Sequence, residues 1–192
     1  MNNMLDLSTV ELETNSELWK TREVNGEWLL EMVGNKEIDH LGGKVVLIEG
    51  SRGDYVVSVE MKFLDHHLQE GSGGWFGFVI RAQDTLNYEL VWFMPNAEKG
   101  RAVAYLPVAH GIVPWWTEAY ASQQRGGPKI PSHEWFSTKA EVIGDEVSIF
   151  IGDEHIFTKK LTYYLTEGRP GFYVGTATDA AFRRVYVEDH RT

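Results

Sequence analysis

Three charged residues set into strand-like runs carry the first chemical signal: Glu60 in Tyr55-Val-Val-Ser-Val-Glu-Met-Lys-Phe63, Arg81 in Trp75-Phe-Gly-Phe-Val-Ile-Arg81, and Glu89 in Tyr88-Glu-Leu-Val-Trp-Phe-Met94. A charge inside such a run costs free energy unless it is paired or faces a groove. Glu60 and Glu89 fall on neighbouring predicted strands. Two carboxylates about 5–10 Å apart are what glycoside hydrolysis needs, as acid and base or as acid and nucleophile. The plain alternative is a pair of solvent-facing glutamates, with Lys62 as the ion-pair partner of Glu60. Arg81 shares strand parity with Trp75, Gly77 and Val79, so a groove-facing guanidinium beside an aromatic ring suits a sugar or a carboxylate. Its plain alternative is an arginine snorkelling from a sheet edge or paired with a neighbouring glutamate. These three are the catalytic candidates.

A second cluster lies in the long segment Pro107 to Glu134, where Trp115, Trp116 and Tyr120 accompany His110, Glu118 and Arg125. Aromatic faces stack on the apolar face of a pyranose while nearby polar groups bond its hydroxyls, so the mixture suits a saccharide. Tyr105, in the strand-like run just before, joins these substrate-binding candidates. A segment this long in a compact domain is functional or disordered, and its aromatics argue against disorder. The competing reading is that the tryptophans pin the loop to the body of the protein. His66-His67 reads as a solvated turn rather than a metal pair, since adjacent strand residues point to opposite faces. Arg52-Gly-Asp54 reads as turn chemistry, and no phosphate loop, dinucleotide fingerprint or serine-nucleophile elbow occurs.

The elements that must position these residues are strands. Trp75–Arg81 and Tyr88–Met94 flank a short polar break and read as a β-hairpin. Gly144-Asp145 and Gly152-Asp153 mark two more hairpin turns, because Gly and Asp tolerate the backbone such turns need. Tyr55, Val57, Val59, Met61 and Phe63 alternate with Ser58, Glu60 and Lys62, giving one apolar and one polar face. The only helical suggestion, a faint one, lies in the first twenty residues. The expectation is an all-β protein: an antiparallel two-sheet β-sandwich of jelly-roll type, a single domain over 1–192, with 1–16 as an irregular N-terminal extension.

Bulk properties narrow the partners. The formal net charge of -10 repels phosphate backbones and no basic run appears, so nucleic acid is not an expected partner. No apolar run is long enough to span a bilayer. The absence of cysteine rules out disulfides, thiolate nucleophiles and cysteine-bound zinc. Met1-Asn-Asn-Met-Leu-Asp-Leu-Ser8 has neither the basic nor the apolar region of a secretory leader, so a cytoplasmic protein is expected.

Leu18-Trp19, Asn25-Gly-Glu-Trp28, Asp54-Tyr55, Gly77-Phe-Val-Ile-Arg81 with Asn87-Tyr88, Glu134-Trp135, Gly168-Arg-Pro-Gly-Phe-Tyr-Val174 and Ala181-Phe-Arg-Arg-Val185 follow in an order that resembles the concanavalin-like lectin and glucanase sandwiches. The closer likeness is to 3-keto-disaccharide hydrolase-like domains, over roughly Leu18 to Glu188. Gly73-Gly-Trp-Phe-Gly77 stands where that branch has an Asn-Ser-Gly step, and the Glu-x-Asp-x-x-Glu signature of laminarinase-type glycosidases is absent. The resemblance implies a carbohydrate-active or carbohydrate-binding sandwich that hydrolyses a (keto-)glycoside or only binds it. For a 3-keto sugar one base and one cation near the oxygen suffice, and Glu60 or Glu89 with Arg81, joined by His110, are the residues this chemistry would use. Calcium is common in such folds, but no Asp-rich ligand run occurs, so neither metal nor cofactor is expected. The alternative function is a non-catalytic interaction subunit using the aromatic loop 107–134.

Overall fold

The computed structural model describes residues 4–38, 42–68, 74–95, 102–114, 129–163 and 165–190. Thirteen strands run β1 (Leu12–Thr14), β2 (Trp19–Val24), β3 (Glu27–Met32), β4 (Lys44–Ile48), β5 (Tyr55–His66), β6 (Phe76–Asp84), β7 (Asn87–Phe93), β8 (Val103–Val108), β9 (Phe136–Ile143), β10 (Glu146–Ile151), β11 (Glu154–Lys160), β12 (Arg169–Val174) and β13 (Thr178–Asp189). They form an antiparallel six-stranded sheet, β1-β4-β12-β6-β7-β8, against a seven-stranded one, β11-β10-β9-β5-β13-β3-β2. The two-sheet sandwich read from the alternation is present, with β6 and β7 paired as the expected hairpin. No helix occurs among the described residues, and the helical suggestion near the start is replaced by β1 and β2. Most of β2 is exposed because it is an edge strand, which removes the alternation that marks a half-buried one.

Burial drives the pairing of the sheets. The inward row of β5, from Tyr55 to Phe63, meets Phe76, Phe78 and Ile80 of β6, and Phe172 of β12 stacks on Phe182 of β13 with ring centroids 4.6 Å apart. Gly77 lets β6 and β7 approach, since a β-carbon there would sit 2.0 Å from the Val91 carbonyl oxygen. The outer faces differ. That of the six-stranded sheet is apolar and buried, with Leu47, Val79, Leu90 and Leu106 inaccessible. That of the seven-stranded sheet carries Glu60, Lys62, Lys139, Glu141 and Arg183.

Two β-bulges re-aim arginines. On β6 an extra residue separates Val79 and Ala82 in their pairing with Gly171 and Arg169, and Arg81 takes φ 47. On β13 the register to β5 slips between Arg183 and Tyr186, and Arg184 takes φ 50. A bulge adds one unpaired residue, so side chains beyond it lose the simple alternation.

Candidate functional site

The charged hairpin residues do not share a groove. Glu60 lies on β5 of the seven-stranded sheet and Glu89 on β7 of the six-stranded one. Glu89 points inward with Val91 and Phe93 and is 1% exposed. Its carboxylate accepts the Tyr105 hydroxyl at 2.6 Å and the Tyr163 N–H at 2.8 Å. Burial nevertheless pushes the carboxyl above its ordinary range. Tyr105 accepts the Thr162 N–H at 2.7 Å, so it binds the protein's own loop rather than presenting a free hydroxyl.

Arg81 does not stand in a groove beside Trp75. The bulge breaks the parity that would place it there, and its buried guanidinium donates to the Leu165 carbonyl, the Gly53 carbonyl and Asp54 Oδ1. Arg81 and Glu89 thus anchor the segment before β12 from two sides. His110 sits exposed in the turn after β8, its N–H donating to Asn87 Oδ1 at 3.1 Å. Trp115, Trp116, Glu118, Tyr120 and Arg125 lie outside the described residues. His67 bonds Asp179 at 3.0 Å while His66 meets Trp75 edge-on, and Arg52 pairs with Asp189, so both short motifs serve local structure.

Glu60 leads elsewhere. β13 pairs with β3 only from Ala180 to Phe182. Beyond that point the two strands diverge, and the segment near the start of the sequence takes the place beside β13: Leu5 N–H donates to the Val185 carbonyl at 2.8 Å, and Met4 bridges Tyr186. The fork leaves a groove of about 350 Å³ between Met4–Leu7 on one side, Gly26–Trp28 on the other, and Arg184 and Tyr186 of β13.

The bulge shapes this groove. Successive strand residues normally point to opposite faces, yet Arg183 and Arg184 both reach the outer face because Arg184 adopts the left-handed conformation. Arg183 donates to Glu60 and Glu27, each at 2.7 Å, and Arg184 to the same two carboxylates, each at 2.8 Å. The four side chains close a ring, with the Arg183 guanidinium carbon 4.3 Å over Trp135. A non-glycine residue at positive φ persists where its surroundings hold it, often at a ligand site. Asp6, on the opposite wall, has its carboxyl lowered chiefly by the Ser8 hydroxyl, so it is an acceptor at neutral pH.

No family model matches the chain, and no curated protein matches it by sequence. Solved structures match in three dimensions. A carbohydrate-binding module, CBM66 from Bacillus subtilis, aligns over 98% of this chain and 99% of its own at 17% identity and a TM-score of 0.68. The fold is that of the concanavalin-like sandwiches. An alginate lyase variant solved with an alginate tetrasaccharide aligns over 91% of this chain and 86% of its own, at 13% identity and a TM-score of 0.56. The GH43 protein BlXynB from Bacillus licheniformis aligns over 93% of this chain but 36% of its own, at 14% identity and a TM-score of 0.57.

Within this sandwich the groove combines aromatic surface, from Trp28 at 37% exposure and Tyr186, with a guanidinium donor and carboxylate acceptors. The sequence reading missed Trp28, Arg184, Tyr186 and Asp6. The one signal for them was Arg183-Arg184, two adjacent charges where strand alternation allows one outward residue.

Proposed function

We propose that the protein binds a saccharide, without turning it over, in the groove between β3, β13 and the Met4–Leu7 segment. The observation that carries this reading is the placing of Trp28 and Tyr186 beside Arg184, Glu27 and Asp6 in one groove of about 350 Å³. Aromatic surface offers the apolar face of a sugar ring a partner, and a few convergent polar groups fix its hydroxyls. The volume falls in the range of small-molecule sites. The fold shared with a carbohydrate-binding module along nearly the full length supports the same reading.

The groove suits binding better than hydrolysis. A glycosidase acid must hold its proton at neutral pH. Asp6 is shifted the opposite way, and both oxygens of Glu27 and of Glu60 are engaged by arginines. Calorimetric titration with a panel of mono- and oligosaccharides tests the proposal. A bound sugar whose affinity collapses in a folded Trp28→Ala variant is the expected result. Failure of every sugar to bind, or full affinity in Trp28→Ala, would overturn it. Product released from a bound glycoside would overturn its non-catalytic half.

A further inference from the structure

Lys62 projects from the outer face of β5, two residues beyond Glu60, and the simple expectation is that the two pair. They do not, because Glu60 is occupied by Arg183 and Arg184. Lys62 makes no ion pair among the described residues; its ammonium stands 5.9 Å from the centre of the Trp135 ring, over which Arg183 also lies. Two cations therefore converge on one half-buried indole.

Hydrogen-bonding capacity at this place is unbalanced. Each oxygen of Glu27 and Glu60 already accepts one guanidinium N–H. The Nη2 groups of Arg183 and Arg184 donate to no partner among the described residues, and each offers two N–H donors. Among the described residues Arg183, Arg184 and Lys62 stand against the carboxylates of Glu27 and Glu60, on a chain whose net charge is -10. Among the described residues this patch lacks an acceptor, preferably a charged one.

The patch adjoins the groove. In the sheet, β9, β5, β13 and β3 are successive neighbours, and Trp135 immediately precedes β9 while Trp28 lies on β3. Arg184 and Glu27 line the groove and also close the ring with Arg183 and Glu60, so groove and patch are continuous, and a ligand filling both is a short oligosaccharide rather than one ring. Resting on the saccharide reading above, we infer that the ligand is an acidic oligosaccharide, held at one end by Trp28 and Tyr186 and placing a uronate carboxylate between Lys62 and Arg183. A carboxylate there completes the charge balance and takes the spare donors in charge-assisted bonds.

Matched ligands test this directly. Trimers of galacturonate, glucuronate and mannuronate are titrated calorimetrically at low salt, each beside its carboxyl-reduced neutral counterpart. One acidic trimer should bind about tenfold more tightly than its reduced form, the gain of one charge-assisted contact, and the preference should shrink as salt rises. Lys62→Ala should bring the two forms to similar affinity without weakening the neutral one, and Lys62→Arg should keep the preference. Trp28→Ala should weaken both forms together. Equal binding of both forms by the native protein, or a preference that survives Lys62→Ala, overturns the inference while leaving saccharide binding intact. Failure of every acidic and neutral form to bind removes the saccharide reading, and this inference with it.

Discussion

Replacing Tyr105 by Phe removes one oxygen that bonds the Glu89 carboxylate, the Thr162 N–H and the Thr162 hydroxyl. Glu89, 1% exposed, loses the hydroxyl donor 2.6 Å away and keeps the Tyr163 N–H, while the Thr162 N–H loses its acceptor. A hydrogen bond to a charged group contributes about 1.5–3 kcal/mol, and a stranded donor costs about 1 kcal/mol or more, so a loss of about 3 kcal/mol is expected. For a chain of 192 residues that lowers the melting temperature by about 6–12 °C. The loss should also depend on pH. Burial raises the folded carboxyl of Glu89 above its unfolded value, so folding favours the protonated form and stability declines as pH climbs through that interval. Tyr105 is the first of the contacts that pull the carboxyl back down. Without it the carboxyl rises further, and the penalty grows only where Glu89 must ionise. Urea midpoints of both proteins at pH 7 and pH 4, followed by tryptophan fluorescence, should show the wider gap at pH 7. A loss below about 1 kcal/mol at pH 7, or an equal or larger loss at pH 4, would refute the reasoning.

Arg81→Lys places a point charge where a planar fork serves Leu165, Gly53 and Asp54, and should cost about 2–3 kcal/mol by calorimetry; a melting temperature within about 2 °C of the native one would deny Arg81 its anchoring role. Gly77→Ala puts a methyl group 2.0 Å from the Val91 oxygen, so the soluble fraction on expression should collapse, and an unchanged yield and melting curve would contradict the contact. Glu60→Gln loosens Arg184 at the groove and Arg183 beside it but breaks only partly exposed ion pairs. It should weaken saccharide binding several-fold with little change in melting temperature, and the reverse pattern would make the ring purely structural.

The fold was legible because alternation and turn chemistry are local. Tyr55 to Phe63 reads as one buried face and occupies the centre of the seven-stranded sheet, and positive φ at Gly144 and Gly152 sits where the hairpin turns were read. The site was not legible, for three physical reasons. Strand parity cannot reveal a bulge: it points Arg81 to an outer groove, while the extra residue turns it into the interior. Neighbouring strands in sequence need not share a sheet, which is how Glu60 and Glu89 came to look like a pair. The groove itself joins Met4–Leu7 to Arg184 and Tyr186, a meeting that no local pattern encodes.

That last union has a consequence for biosynthesis. The bond from Leu5 to Val185 ties the segment before β1 to β13, so the groove cannot assemble on a ribosome before β13 has emerged. Chains that stop before β13 would be blind to ligand, and only those that include it would respond. Because a ligand stabilises the one state that binds it, sugar added during refolding should act late, locking the closing strand in place rather than guiding the first collapse.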